Sequence, residues 1–127
     1  MRVVRGGTVS NLLKDVSIPK MFHASQSFPR DKIDPREIPS VISHELSRPG
    51  FGSRINPGMQ IAITAGSRGV RNVDIITKAI VDFVKSREAV PFIVPAMGSH
   101  GGANAQGQKD MLAGFGITEE SMGCEIR

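Results

Sequence analysis

The sequence predicts an α/β fold, a Rossmann-like parallel sheet with flanking helices. Two short apolar runs, 59–65 and 91–95, have the composition of buried strands. Each run is followed by a glycine-containing loop and then by a stretch with helical periodicity. Because a helix connects the two strands, we expect them to be parallel and joined by a right-handed crossover.

Length and composition limit the class of protein. The chain has 127 residues, the length of one domain or of part of one, and its 39% apolar residues exclude a mainly disordered protein. The longest apolar run, 89–98, has about half of the roughly 20 residues that a transmembrane helix needs. The single cysteine excludes a disulfide within the chain, and no apolar stretch follows the first residues as in a signal peptide. We therefore expect a cytoplasmic protein without a membrane partner.

The charge of the chain does not favour a nucleic-acid partner. Its net charge is +4, the 16 basic residues are scattered, and there is no Trp or Tyr. Nucleic-acid binding requires a basic stripe or a platform of stacking side chains. We expect neither here.

The first third of the chain has weaker signals. Residues 1–20 have no clear period and are predicted to form an N-terminal arm, followed by an α/β domain over 21–127. Residues 21–28 alternate loosely between polar and apolar and predict a strand.

A helix is predicted over 34–47. Asp34 and Glu37 resemble an N-cap and its capping-box partner, with Pro35 between them, but Pro39 favours a start closer to itself. The apolar stripe of this helix consists of Ile38, Val41, Ile42 and Leu46.

The helices that follow the two strands have clearer boundaries. Asn72 is predicted to cap the first and Asn104 the second, with Gly114 and Gly116 near the end of the second. Gly107, inside the second helix, lowers its helix propensity by about 1 kcal/mol. The predicted stripes are Val73, Ile76, Ile80 and Phe83 in the first helix, and Ala105, Gln108, Leu112 and Phe115 in the second.

The two loops after the strands are the predicted functional site. Loops 66–69 and 98–102 leave the carboxyl ends of parallel strands, where α/β proteins bind ligands, and lead into helix N-termini that favour anions. Arg68 adds donors suited to phosphate or carboxylate, and His100 adds a proton carrier. Gly66 and Gly69 equally suit a turn that only packs. An anion anchor beside a proton carrier is typical of an enzyme.

No complete metal site is predicted. The three histidines lack the spacing of metal ligands, and we expect His23 and His44 to be structural or exposed. Cys124 has no CxxC partner and is predicted to be an ordinary small residue. The chain also lacks the P-loop, GxGxxG and GxSxG motifs.

Four segments together carry a family resemblance. They are KMFHASQSFPRDKI at 20–33, PFIVPAMGSHGGA at 91–103, the GQ pair at 107–108 and GITEE at 116–120. Over residues 18–127 the chain resembles the N-terminal domain of the lactate racemase family, the nickel-pincer-nucleotide-dependent isomerases.

The resemblance implies a racemase or epimerase acting on a small-molecule 2-hydroxy acid. In the family, a nickel held in the pincer nucleotide accepts a hydride from the α-carbon while a histidine removes the hydroxyl proton. His100 resembles one of the family's two catalytic histidines. Ser67 and Arg68 match a Thr-Arg pair that contacts cofactor or substrate. The neighbouring residues assigned with them to cofactor binding are Gly66, Gly69, Gly98 and Ser99.

The sequence departs from the family in two respects. Ala65 stands where the family has an aspartate, which indicates a divergent branch and leaves open which 2-hydroxy acid is the substrate. The residues that link the cofactor and bind the nickel, and the second catalytic histidine, lie outside this chain. We therefore expect an inactive fragment that needs a C-terminal domain or a complementary subunit. The alternatives are a non-catalytic phosphate- or nucleotide-binding module and a subunit of a split enzyme.

Overall fold

The computed structural model describes residues 7–17, 20–28, 31–67 and 69–127. The chain divides into two compact units, 1–31 and 32–127. The predicted boundary after residue 20, between arm and domain, stays a prediction.

The described part of the first unit contains one short helix, α1 (Thr8–Leu12), which the sequence did not predict. The strand predicted over 21–28 is wrong, because those residues have no regular secondary structure. A strand needs a neighbour for its backbone hydrogen bonds, and no described residue pairs with this segment. Phe22 is 87% exposed, so the alternation there does not mark a buried face.

The second unit is built on a three-stranded parallel sheet in the order β1-β2-β3. The strands are β1 (Gln60–Ala65), β2 (Val90–Pro95) and β3 (Glu125–Ile126). The two predicted strands and their parallel pairing are confirmed, and with them the mixed α/β fold with flanking helices. The sequence did not predict β3, because two residues are too few to show a period.

Helix α2 (Ile38–Leu46) begins beside Pro39, as expected from the proline. The capping box predicted around Asp34 is wrong, since Glu37 occupies the N-cap position and makes no side-chain cap. The Asp34 carboxylate instead accepts hydrogen bonds from the backbone and guanidinium of Arg36. These bonds lower the pKa of the Asp34 carboxyl.

Helix α3 (Val73–Ser86) forms the crossover between β1 and β2. Asn72 is at its N-cap position, but with left-handed backbone (φ 57°) and no side-chain cap. The helix contacts both α2 and the sheet, so its buried face is wider than the predicted stripe. Its buried residues are Thr77, Ala79, Val81, Phe83 and Val84.

Helix α4 (Ala105–Gly114) follows β2, and the short helix α5 (Glu119–Met122) leads into β3. The predicted Asn104 cap is confirmed: its side-chain oxygen accepts from the backbone N–H of Gly107 at 2.8 Å. Of the predicted α4 stripe only Leu112 is fully buried, and Phe115 is 40% exposed. Helix α5 was not predicted.

The core lies where one face of the sheet meets the helices. Along β1, Ile63 and Ala65 are buried while Ala62 and Thr64 are exposed, as expected of a strand with one covered face. The core consists of Ile63, Ala65, Val81, Val84, Ala89, Ile93, Met97, Leu112, Ile117, Met122 and Ile126. Within the described ranges, no helix has the length and apolar character needed to cross a membrane.

Candidate functional site

The two predicted loops begin side by side at the carboxyl edge of the sheet. The register pairs Ala65, the last residue of β1, with Pro95, the last residue of β2. Just past these ends, the N–H of Ala96 donates to the carbonyl of Ala65 at 2.8 Å. The matched strand ends therefore place the starts of the two loops next to each other.

A side-chain hydrogen bond joins the two loops. The hydroxyl oxygen of Ser67 and Nδ1 of His100 are 2.6 Å apart. Both residues are half-buried. A serine hydroxyl can donate or accept, and so can a neutral imidazole nitrogen, depending on its tautomer. The bond holds the imidazole ring against the first loop.

The loop that carries His100 has an unusual backbone. His100–Ala103 forms a 3₁₀ turn in which Gly101 and Gly102 have positive φ, and Ala103 also has φ 54°. Positive φ is uncommon for a residue with a side chain, and such strain is found most often at functional sites. The backbone thus marks this loop as a candidate site independently of its histidine.

Two glycines allow the His100 loop to pack on the first turn of α4. A Cβ on Gly107 would lie 2.0 Å from the carbonyl oxygen of Gly101. One on Gly101 would lie 2.5 Å from the carbonyl carbon of Gly107. No side chain fits at either position. Gly107, which the sequence identified only as a poor helix former, is required by this contact.

Two amide side chains hold the same loop. The Nε2 of Gln108 donates to the carbonyl of Gly98 at 2.8 Å and to that of His100 at 3.3 Å. The Nδ2 of Asn104 donates to the carbonyl of Gly101 at 3.1 Å, while its oxygen caps α4. Neither anchoring role was predicted. The only available sequence signal was the presence of two amides just after a glycine-rich loop.

A small cleft opens beside Ser67. Its volume is about 70 Å³, and residues of the first loop, of α3 and of the end of α4 line it. At Gly69 (φ 70°) nothing lies within 4 Å of where a Cβ would stand, so this side of the loop is open. The lining residues are Gly66, Ser67, Gly69, Val70, Val73 and Phe115.

The structure brings together some of the predicted site residues. Gly66, Ser67 and Gly69 line the cleft, and His100 is bonded to Ser67. Gly98 anchors the second loop through Gln108, whereas Ser99 is exposed and does not line this cleft. Arg68 lies outside the described residues.

Within the second unit, the other two candidates are separate from this site: His44 is exposed on α2, and Cys124 lines another cleft beside β3. His23, in the first unit, is exposed. Burial raises the pKa of the Cys124 thiol, whereas a nucleophilic cysteine needs a lowered one. In the ranges that the structure describes, no group of three or more His, Cys, Asp or Glu side chains is arranged to hold a metal ion.

No protein-family model, curated protein or solved structure matches the chain.

Proposed function

We propose that the chain is the N-terminal domain of a nickel-pincer-nucleotide-dependent racemase or epimerase, with His100 as an acid/base residue acting on a 2-hydroxy acid. One observation carries the proposal: the 2.6 Å contact between Ser67 and His100, which orients an imidazole at the carboxyl edge of a parallel sheet. An oriented proton carrier beside an open cleft is an arrangement suited to acid/base catalysis.

The chain's own part in this reaction is proton transfer and anchoring. Imidazole changes charge near neutral pH, so His100 is suited to take the substrate's hydroxyl proton and to return it. When bound, the nickel pincer nucleotide supplies the acceptor for the hydride from the α-carbon. In this proposal, Arg68 supplies the cation that holds a carboxylate or the cofactor.

The described residues fit contact with one edge of such a cofactor or with its substrate. The cleft of about 70 Å³ accommodates a group of a few heavy atoms, such as a carboxylate. Among the residues that line this cleft, Ser67 has the one polar side chain, and its hydroxyl is able to donate a hydrogen bond to such a group. In the proposal, the nickel ligands and the second histidine belong to a further domain or subunit.

The test uses the native protein, captured from its source cells with an antibody against this chain. It is incubated with a single enantiomer of a 2-hydroxy acid in D₂O, and its nickel content is measured. The proposal expects nickel and a product of inverted configuration that keeps protium at the α-carbon, because a transferred hydride does not exchange with solvent. Deuterium at the α-carbon, or no isomerisation, would refute it.

A second arm addresses the alternative of a simple anion-binding module. The chain itself is titrated with inorganic phosphate with and without nickel, and its amide resonances are followed. Saturable shifts confined to loop 66–69 that need no metal, in a native protein without isomerase activity, would favour the binding module and contradict the enzyme.

His100→Ala tests the proposed acid/base residue. In the native isomerase we expect kcat to fall by about 10²-fold or more, the usual contribution of a positioned acid or base. His44→Ala is the matched control, because His44 is exposed on α2, and its kcat should be unchanged. Near-normal turnover in a folded His100→Ala protein would exclude the proposed role.

A further inference from the structure

We infer that the outer edge of β1 is an interaction surface, which pairs in antiparallel fashion with β1 of a second copy of this chain. Strand β1 lies at one edge of the sheet, whose order is β1-β2-β3. Among the described residues of the second unit, β2 is the strand that pairs with it. The side of β1 that faces away from β2 therefore has backbone groups without a strand to bond.

The hydrogen bonds between β1 and β2 show which backbone groups face outward. The carbonyls of Met59 and Ala65 accept from backbone N–H groups on the β2 side, at 2.7 and 2.8 Å. Alternate residues of a strand face the same neighbour, so the odd-numbered residues of β1 face β2. The N–H and C=O groups of Gln60, Ala62 and Thr64 therefore point away from the sheet, and all three residues are exposed.

The two edges of the sheet differ in how they are protected against pairing. At the opposite edge, β3 has two residues, and the charged side chains of Glu125 and Arg127 lie on it and directly after it. Short edge strands with charged side chains resist pairing with other chains. Strand β1 has six residues, QIAITA, with no charge and no proline. Of the two edges, β1 is therefore the one suited to accept a further strand.

The strand is also complementary to itself. When Ala62 of one copy faces Ala62 of the other on a two-fold axis, Gln60 of each copy lies opposite Thr64 of its partner. Each facing pair then exchanges both of its N–H···O hydrogen bonds, because the groups involved are those that point outward. No side chain of the strand is charged, so no like charges lie opposite each other in this pairing.

This register joins the two sheets into one, with the helices of both copies on the same face. The paired strands run in opposite directions, so the two Ser67 clefts lie at opposite ends of the contact. The contact spans roughly 17 Å of strand, which is short compared with a standard protein interface. We therefore expect a dimer that dissociates on dilution.

The test is amide hydrogen exchange of the full chain, followed by NMR at roughly 50 µM and roughly 1 mM, since mass action favours the dimer at the higher concentration. The N–H groups of Gln60, Ala62 and Thr64 should exchange several-fold more slowly at the higher concentration. The exposed Glu120 in α5 is the internal control, and its amide should exchange at the same rate in both samples.

Two variants of Ala62 test the register. Ala62→Lys and Ala62→Glu each place like charges opposite each other, so either variant alone should sediment as a monomer at concentrations that dimerise the wild type. An equal mixture of the two should dimerise, because opposite charges then face each other. Val90→Lys is the control: Val90 is 53% exposed but lies on the central strand β2, so this variant should dimerise as the wild type does.

Three results would overturn the inference. Exchange rates of the three outward amides that do not depend on concentration would exclude the pairing, and this result needs no variant. Loss of the dimer in Val90→Lys would mean that the copies meet through the face of the sheet. A mixture of the Ala62 variants that stays monomeric would exclude the register. None of these measurements uses nickel or a substrate, so the dimer and the proposed function are tested separately.

Discussion

Gln108 shows how a single side chain supports the site without being part of it. One amide group donates to the carbonyls of Gly98 and His100, so it spans the turn that presents the imidazole. An acceptor left without a donor in a partly buried turn is costly. Gln108 therefore contributes to the stability of this loop from α4.

Gln108→Ala tests this support. We expect a loss of about 1 kcal/mol in the free energy of unfolding, together with faster exchange of the His100 amide hydrogen. Gln106→Ala is the matched control, because Gln106 lies on the same helix and its amide donates to the carboxylate of the exposed Asp110 at 2.8 Å. It should cost a few tenths of a kcal/mol. Equal losses measured by urea denaturation would contradict the special role of Gln108.

For single residues, the sequence predicts a role best when that role follows from the residue's place relative to a strand or a helix. His100 was selected because it stands in a loop after a strand, and Asn104 because it precedes an apolar period; the Asn104 cap is confirmed. The partner of Gln108 was not predictable, because a long amide reaches in many directions and only the packed turn determines which carbonyls it meets. The catalytic role of His100 stays a prediction.

At the scale of elements, the His100 loop and helix α4 depend on each other. Their backbones approach at Gly101 and Gly107 closely enough to exclude a side chain from either position. Helix propensity argues against glycine inside α4, and tertiary contact requires it. Helix propensity depends on the local sequence. The sequence alone therefore shows that glycine at position 107 disfavours a helix, but it does not show the contact with Gly101 that requires a glycine there.

Alanine substitutions at the two glycines of α4 should change the free energy of unfolding differently. Gly107→Ala should destabilise the chain, because the new methyl meets the carbonyl oxygen of Gly101 at 2.0 Å and one backbone must move. Gly114→Ala, at the open end of the same helix with nothing within 4 Å, should be neutral or gain up to about 1 kcal/mol. Urea denaturation compares the two. A gain in both would mean that the loop does not pack on α4.

At the scale of the whole molecule, the last strand completes the second unit. Ile126 is buried in the core, and the N–H of Arg127 donates to the carbonyl of Ile93 in β2. The carboxylate of Glu119 in α5 accepts the N–H of Ile126 at 3.1 Å, so helix and strand are tied together. The predicted βαβα order was correct over 59–115, but α5 and β3 are too short to show a period, and only the sheet itself reveals them.

The hydrogen bond from the Ile126 N–H to the Glu119 carboxylate predicts that the stability of the chain depends on pH. The Ile126 N–H lowers the pKa of the Glu119 carboxyl, and the positive charge of Lys109 adds to the effect. A group whose pKa is lower in the folded chain stabilises the fold above its unfolded pKa. That contribution disappears as the pH falls through the folded value. The melting temperature of Glu119→Gln should therefore fall less than that of the wild type between neutral pH and about pH 3.

Glu120→Gln is the control for this measurement, since Glu120 is the exposed neighbour in the same helix. Its melting temperature should fall with pH as the wild type's does. If Glu119→Gln also follows the wild type, the carboxylate does not hold β3 in solution.

The register of β1 on β2 also has a consequence for folding errors. Ser67 and His100 each follow a strand end, and a slip of one residue between those strands would shift one loop past the other by about 3.3 Å. That displacement exceeds the 2.6 Å length of the bond that joins them. A misregistered chain would then lack the bond that orients the imidazole. The ring signals of His100 would consequently count the correctly paired molecules in any refolded sample.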